Sequence, residues 1–155
     1  MRVDGKYCSG EGQRRFAESG QEVTIRDALE SFPGATSRGS APRIKEHVNT
    51  YLLKAGWAIE PRLDPQFDLS INASHRSGVG LQIQLGNVAR AFYDLLKLNA
   101  AYHQSNISVG VLVVPTAKLS KILGSNLASF ERITREHEVL FASGLPLPLV
   151  VLGLE

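Results

Sequence analysis

The residues of this sequence best suited to chemistry sit at strand spacing. In Phe67-Asp68-Leu69-Ser70-Ile71-Asn72 every second residue is apolar, and Leu81-Gln82-Ile83-Gln84-Leu85 repeats the pattern. Side chains alternate across a strand with a period of two. Phe67, Leu69, Ile71, Leu81, Ile83 and Leu85 are therefore expected to bury, leaving Asp68, Ser70, Gln82 and Gln84 to share the other side. The linker Ala73–Gly80 is polar and carries glycines, so an antiparallel hairpin is the economical connection. Residues opposite one another on one face of such a pair lie ~4.5–5.5 Å apart at Cβ, which brings Asp68 against Gln82 or Gln84 according to register. A carboxylate facing two polar residues at i, i+2 is an arrangement that holds a divalent cation beside a phosphate. The Asp and the first of the pair ligate the ion with the intervening carbonyl, here that of Ile83, and the second orients a water. On spacing alone a solvated polar face is the simpler account.

Several elements must position these residues. Ile44, Val48, Tyr51, Leu52 and Ala55 recur at helical spacing after Pro42 and before Gly56, predicting an amphipathic helix over Arg43–Ala55. Trp57–Glu60 reads as a short strand stopped by Pro61. After the break at Gly86-Asn87, Val88, Ala91, Phe92, Leu95, Leu96 and Asn99 form the inner stripe of a second helix, with Arg90, Asp94 and Lys97 outside it. Ile107–Val114 is a β-branched run of the kind buried on both faces. Thr116 is placed to cap a helix over Ala117–Leu123, a further helix passes through Phe130 and Ile133, and Leu149–Leu154 makes a last buried strand. Upstream, residues 1–22 lack clean periodicity and read as a mobile lead-in. A short helix is expected at Ile25–Ser31, and Phe32–Pro42 is a loop rich in breakers. The order α-β-β-β-α-β-α-β predicts an α/β fold with a mixed sheet flanked by helices. It divides into a lead-in over residues 1–41 and a core over residues 42–155.

Composition excludes several other classes. At 155 residues, 43% hydrophobic and 21% charged, the chain suits one compact core and is not a disordered segment. No apolar run approaches the ~20 residues of a membrane span, and the N-terminus lacks the apolar region of a secretory signal. A single cysteine, Cys8, forms no internal disulfide and makes a reducing cytoplasm the default. His47, His75, His103 and His137 are scattered without ligand spacing, and the glycine pairs at Ser9–Gly12 and Ser77–Gly80 lack the rest of a phosphate loop. A net charge of +2, shared evenly along the chain, permits nucleic acid without arguing for it.

Residues 82–90, Gln-Ile-Gln-Leu-Gly-Asn-Val-Ala-Arg, run into Phe92-Tyr93-Asp94-Leu95-Leu96-Lys97. With Asp68 upstream, this stretch resembles the BglII/BstYI branch of the type II restriction endonucleases, within the PD-(D/E)XK nuclease superfamily. The resemblance covers roughly residues 42–155 and fits the α-β-β-β-α-β core of that fold. It implies a site-specific double-stranded DNA endonuclease that hydrolyses phosphodiesters with a divalent metal, Mg²⁺ or Mn²⁺, and acts as a cytoplasmic homodimer without a membrane. Asp68 then takes the place of the metal-binding aspartate, with Pro65 as a loose version of the preceding proline. Gln84 takes the place of the superfamily lysine, as is normal in this branch. Gln82 departs from the pattern, standing where the family has a glutamate that shares the metal with Asp68. Losing that charge weakens the hold on a hard cation and blunts cleavage. The first helix would contribute Glu46, or else Asn49, while Arg38, Arg43, Lys45 and Arg76 are candidates for phosphate contact. Three readings follow: an endonuclease, an inactive DNA-binding protein of the same fold, and a small α/β interaction domain.

Overall fold

The computed structural model describes residues 1–34 and 36–155. In chain order its elements are β1 (Val3–Ser9), α1 (Gly12–Ser19), α2 (Glu22–Glu30), α3 (Ala41–Lys54), β2 (Ala58–Ile59), β3 (Arg62–Asp64), β4 (Leu69–Ser70), β5 (Ala73–His75) and β6 (Val79–Ile83). They continue with α4 (Val88–His103), β7 (Val109–Pro115), α5 (Ala117–Leu123), α6 (Phe130–Glu136), which runs on into a π-helical turn at His137–Phe141, and β8 (Leu149–Leu154). The main sheet is ordered β1-β8-β7-β6-β5-β2. Its centre, β6-β7-β8, is parallel, and β1, β5 and β2 pair antiparallel at the margins.

Strand alternation divides the core in two. Leu81, Ile83, Val111, Val113 and Leu152 face one side, where Phe16, Ile25, Leu29, Ile44, Val48 and Leu52 from α1, α2 and α3 cover them. Leu112, Val114, Leu149 and Val151 face the other, beneath Ala91, Leu95 and Leu98 of α4 and Ile133 of α6. β7 is buried along its whole length, as its β-branched run predicts. Thr116 accepts a hydrogen bond from the Leu119 amide and starts α5 at the expected residue, because a hydroxyl there satisfies an otherwise unpaired helical N–H.

Two expectations are corrected. Residues 1–22 are not a mobile lead-in: β1 pairs along β8 from Val3 to Ser9, α1 packs over the sheet, and α2 begins at Glu22. Edge pairing does not require strict alternation, so periodicity is silent there. Gly5 and Gly153 lie opposite one another, and both lie against the ring of Phe130, a seat that a side chain at either position would fill. The loop expected over Phe32–Pro42 includes Ala35, which lies outside the described residues.

The second correction concerns the hairpin. It is made by β5 and β6, turning at Arg76–Gly78 where Gly78 has a φ of +88°, and not by a strand over 67–72. Asp64 Oδ1 accepts from the backbone N–H groups of Gln66 at 2.7 Å and Phe67 at 3.4 Å. That side-chain-stabilised turn reverses the chain through Pro65–Asp68 into the small β3–β4 pair.

Candidate functional site

Beyond the C-terminal end of β6 a cleft of about 370 Å³ opens between the N-terminal half of α4, the start of α3 and the Ser70–Asn72 segment. The carboxyl ends of parallel strands are where α/β sheets present ligand crevices. Gln82 and Gln84 point from the end of β6 toward α4, and both are buried. Facing them is Asp94, 8% exposed, on the sheet-facing stripe Ala91, Asp94, Leu95, Leu98 and Ala101. The expectation that Asp94 lies outside this stripe is thereby corrected, and so is the inward placement of Leu96, which is 55% exposed. The spacing i, i+3, i+4, i+7 includes position 94, but a carboxylate there breaks the apolar pattern by which helical faces are recognised.

The cluster is closed by hydrogen bonds. Gln82 Nε2 donates to Asp94 Oδ1 at 2.7 Å, and Gln84 Nε2 donates to Asp94 Oδ2 at 2.8 Å. The amide oxygens face backbone donors: Gln82 Oε1 accepts from the Asn72 N–H at 2.7 Å and Gln84 Oε1 from the Gly86 N–H at 2.8 Å. Asn72 Oδ1 accepts in turn from the Ile83 N–H at 2.8 Å. An N–H can face only an acceptor, so the orientation of each amide follows from the backbone around it. Lys97 Nζ completes the set 2.9 Å from Asp94 Oδ1, with its ammonium 5.6 Å from the centroid of the Tyr93 ring.

The predicted site residues are only partly assembled. Gln82 and Gln84 come together, and the Ile83 carbonyl lies on the strand between them. Asp68 does not join them. It stands at the tip of the β3–β4 hairpin with its side chain 91% exposed, 3.3 Å from Arg62. The residue that meets Gln82 across the hairpin is Asn72, one residue before β5: its backbone N–H donates to Gln82 Oε1, and its side chain accepts from the Ile83 N–H. Glu46 is exposed and lines a separate groove on α3 together with Asn49. Lys45 lies on the rim of the main cleft, 3.8 Å from Glu60. Arg38 and Arg43 are exposed, Arg43 lying over the Phe32 ring, and Arg76 occupies the hairpin turn at the opposite end of β6 from the cleft. Arg90, which is not among the predicted phosphate contacts, is exposed on the cleft rim and forms no ion pair among the described residues. A signal for it exists in the sequence: it follows the break after β6 by one helical turn.

As a home for a divalent cation this donor set does not fit. Magnesium is held by carboxylates together with water and phosphate oxygens. Here the single carboxylate at the centre, Asp94, already accepts from two amides and a lysine, and each amide oxygen is turned toward a backbone N–H. Lys45, Arg90 and Lys97 against Glu60 and Asp94 give the cleft one net positive charge, opposite in sign to a cation site. No group of three or more His, Cys, Asp or Glu among the described residues is arranged to hold a metal ion. Cys8, whose Sγ donates to Gln13 Oε1 at 3.1 Å, is remote from the cleft, and burial pushes its thiol pKa up, away from the reactive thiolate.

Comparison with known proteins gives these features a context. The fold is similar to that of restriction endonuclease BglII, as seen in its crystal structure with a DNA 16-mer, with a TM-score of 0.80 at 13% identity. That match covers all of this chain and 78% of the other. No curated protein sequence matches. The family model for restriction endonuclease BglII/BglIII matches residues 15–154, and by that match the chain belongs to the BglII/BglIII restriction endonuclease family.

Proposed function

We propose that this protein recognises double-stranded DNA as a type II restriction enzyme does, and that it holds the duplex at the cleft without metal-dependent hydrolysis there. The observation that carries this reading is the hydrogen-bonded closure of Asn72, Gln82, Gln84 and Asp94 at the end of β6. The family generally works with a divalent metal ion, and metal-activated water is what cuts the phosphodiester in such chemistry. A cluster with its oxygens engaged internally, in a cleft of net positive charge, is suited instead to a polyanion. Lys45, Arg90 and Lys97 supply the phosphate contacts, which position the protein without reading sequence. Two-fold pairing of copies on a palindromic duplex follows from the same restriction-enzyme reading, as does a cytoplasmic setting. No helix among the described residues is long and apolar enough to cross a membrane.

The test is incubation of the unaltered protein with a pool of duplexes, with Mg²⁺ or Mn²⁺ and with chelator. The expected result is retention of duplex that falls steeply with salt, with no strand scission. Nicking that appears with metal and disappears with chelator would overturn the loss of hydrolysis, and absence of retention at low salt would overturn the DNA reading itself. Sedimentation with and without duplex reads the two-fold assembly.

A further inference from the structure

We propose that Lys97 replaces the divalent cation in this cleft: its ammonium, anchored on Asp94, meets a DNA phosphate directly, so that duplex binding is independent of divalent metal. The proposal rests on the DNA reading above and extends it to the charge at the centre of the site.

Charge and donor inventory both lead here. A site that admits a divalent ion beside a phosphate carries a surplus of carboxylate. Here the glutamine amides remove that surplus, and Lys97, 17% exposed at its side chain, neutralises the remaining carboxylate from within the chain at 2.9 Å. An ammonium has three N–H donors. Asp94 takes one; the ammonium forms no other ion pair among the described residues and lines the cleft, so its remaining donors are the ones assigned to an incoming phosphate oxygen. The anchorage also fixes the position. Asp94 is held by Gln82 and Gln84 from β6, so the lysine head is tied to the sheet rather than free on a four-carbon stem. The glutamines thereby become positioning residues for a cation the chain carries itself.

Three measurements test the assignment. Duplex affinity of the unaltered protein is measured at constant ionic strength in chelator, then in Mg²⁺, then in Ca²⁺. The expected values agree within about two-fold, since no phosphate contact depends on the ion. Tightening of tenfold or more by either ion would overturn the proposal while leaving DNA binding intact. K97Q, which retains a donor for Asp94 but no charge, is expected to lower the slope of log affinity against log salt by about one, uniformly across sequences. K97R is expected to keep the slope. An unchanged slope in folded K97Q, or a slope equally reduced in K97R, would overturn the assignment of the charge. If K97Q does not fold, the ion series on the unaltered protein still decides between the two outcomes. Failure of the unaltered protein to bind duplex in any buffer sinks the DNA reading and this proposal with it, an outcome distinct from binding that needs metal.

Discussion

Glutamine and glutamate differ at one terminal atom, and at position 82 that atom is the amide nitrogen 2.7 Å from Asp94 Oδ1. In Q82E an oxygen takes its place, two carboxylates meet in a buried site, and a hydrogen bond is lost. The variant is expected to unfold ~2 kcal/mol more easily at neutral pH in chelator, a fall in Tm of ~6 °C for a domain of this size. Mn²⁺ in the millimolar range is expected to recover part of that loss. Thermal melts with and without the ion check this, and equal stability in chelator would show that Asp94 does not depend on the amide. At this scale the sequence is legible where period two runs long enough to be unambiguous. Gln82 and Gln84 stand out by their alternation with Leu81, Ile83 and Leu85, which do bury. Asp68 falls elsewhere than its pattern suggests, because six alternating residues are too few to outweigh the turn that Asp64 builds with its own side chain. Asn72 and Asp94 are hard to single out for a common reason: their roles are set by tertiary partners, and nothing local distinguishes them from surface polar residues.

α4 is the element on which the cleft depends, since Arg90, Tyr93, Asp94 and Lys97 all project from it. Its start is fixed by Asn87, whose Oδ1 accepts from the Ala89 N–H at 2.8 Å. N87A is expected to destabilise the fold by ~1 kcal/mol, the usual cost of losing a side-chain N-cap. It is also expected to weaken duplex retention more than that stability loss alone would, because fraying of the first turn displaces Arg90. Denaturant titration alongside binding separates the two effects. Helices read best from sequence where both ends carry a chemical marker. Thr116 marks the start of α5, and Pro42 with Gly56 brackets α3 closely. The presence of α4 is plain from its periodicity but its rotation is not, since Leu96 and Phe92 compete with Leu98 and Ala101 for the apolar stripe and only packing against β7 decides.

Across the whole molecule, the part least legible in sequence is the edge that β1 adds to β8. One point of its attachment is Tyr7, whose hydroxyl lies 3.1 Å from Nδ1 of His137 in the π-helical turn after α6. His137 is fully buried and its Nε2 has no partner among the described residues. Burial holds its pKa below the ordinary histidine range, so the native state keeps it neutral while the unfolded chain takes up a proton near pH ~6.5. Between that pH and the lower native value the unfolded state binds more protons, so stability is full above the window and falls as pH drops through it. Denaturation midpoints from pH ~7.5 to ~5.5 are expected to decline for the unaltered protein and to stay nearly level for H137Q. A decline of the same size in H137Q would assign the effect to other groups.

The double hold of β6 on Asp94 has an evolutionary consequence. A lone change at position 82 to an acid collides with the carboxylate it faces, and a lone change at position 94 strands both amide donors in a buried place. Each single step toward a metal-holding centre passes through a less stable intermediate, so substitutions here are strongly epistatic. The pair is thereby self-locking: neither position can change alone without cost to the other.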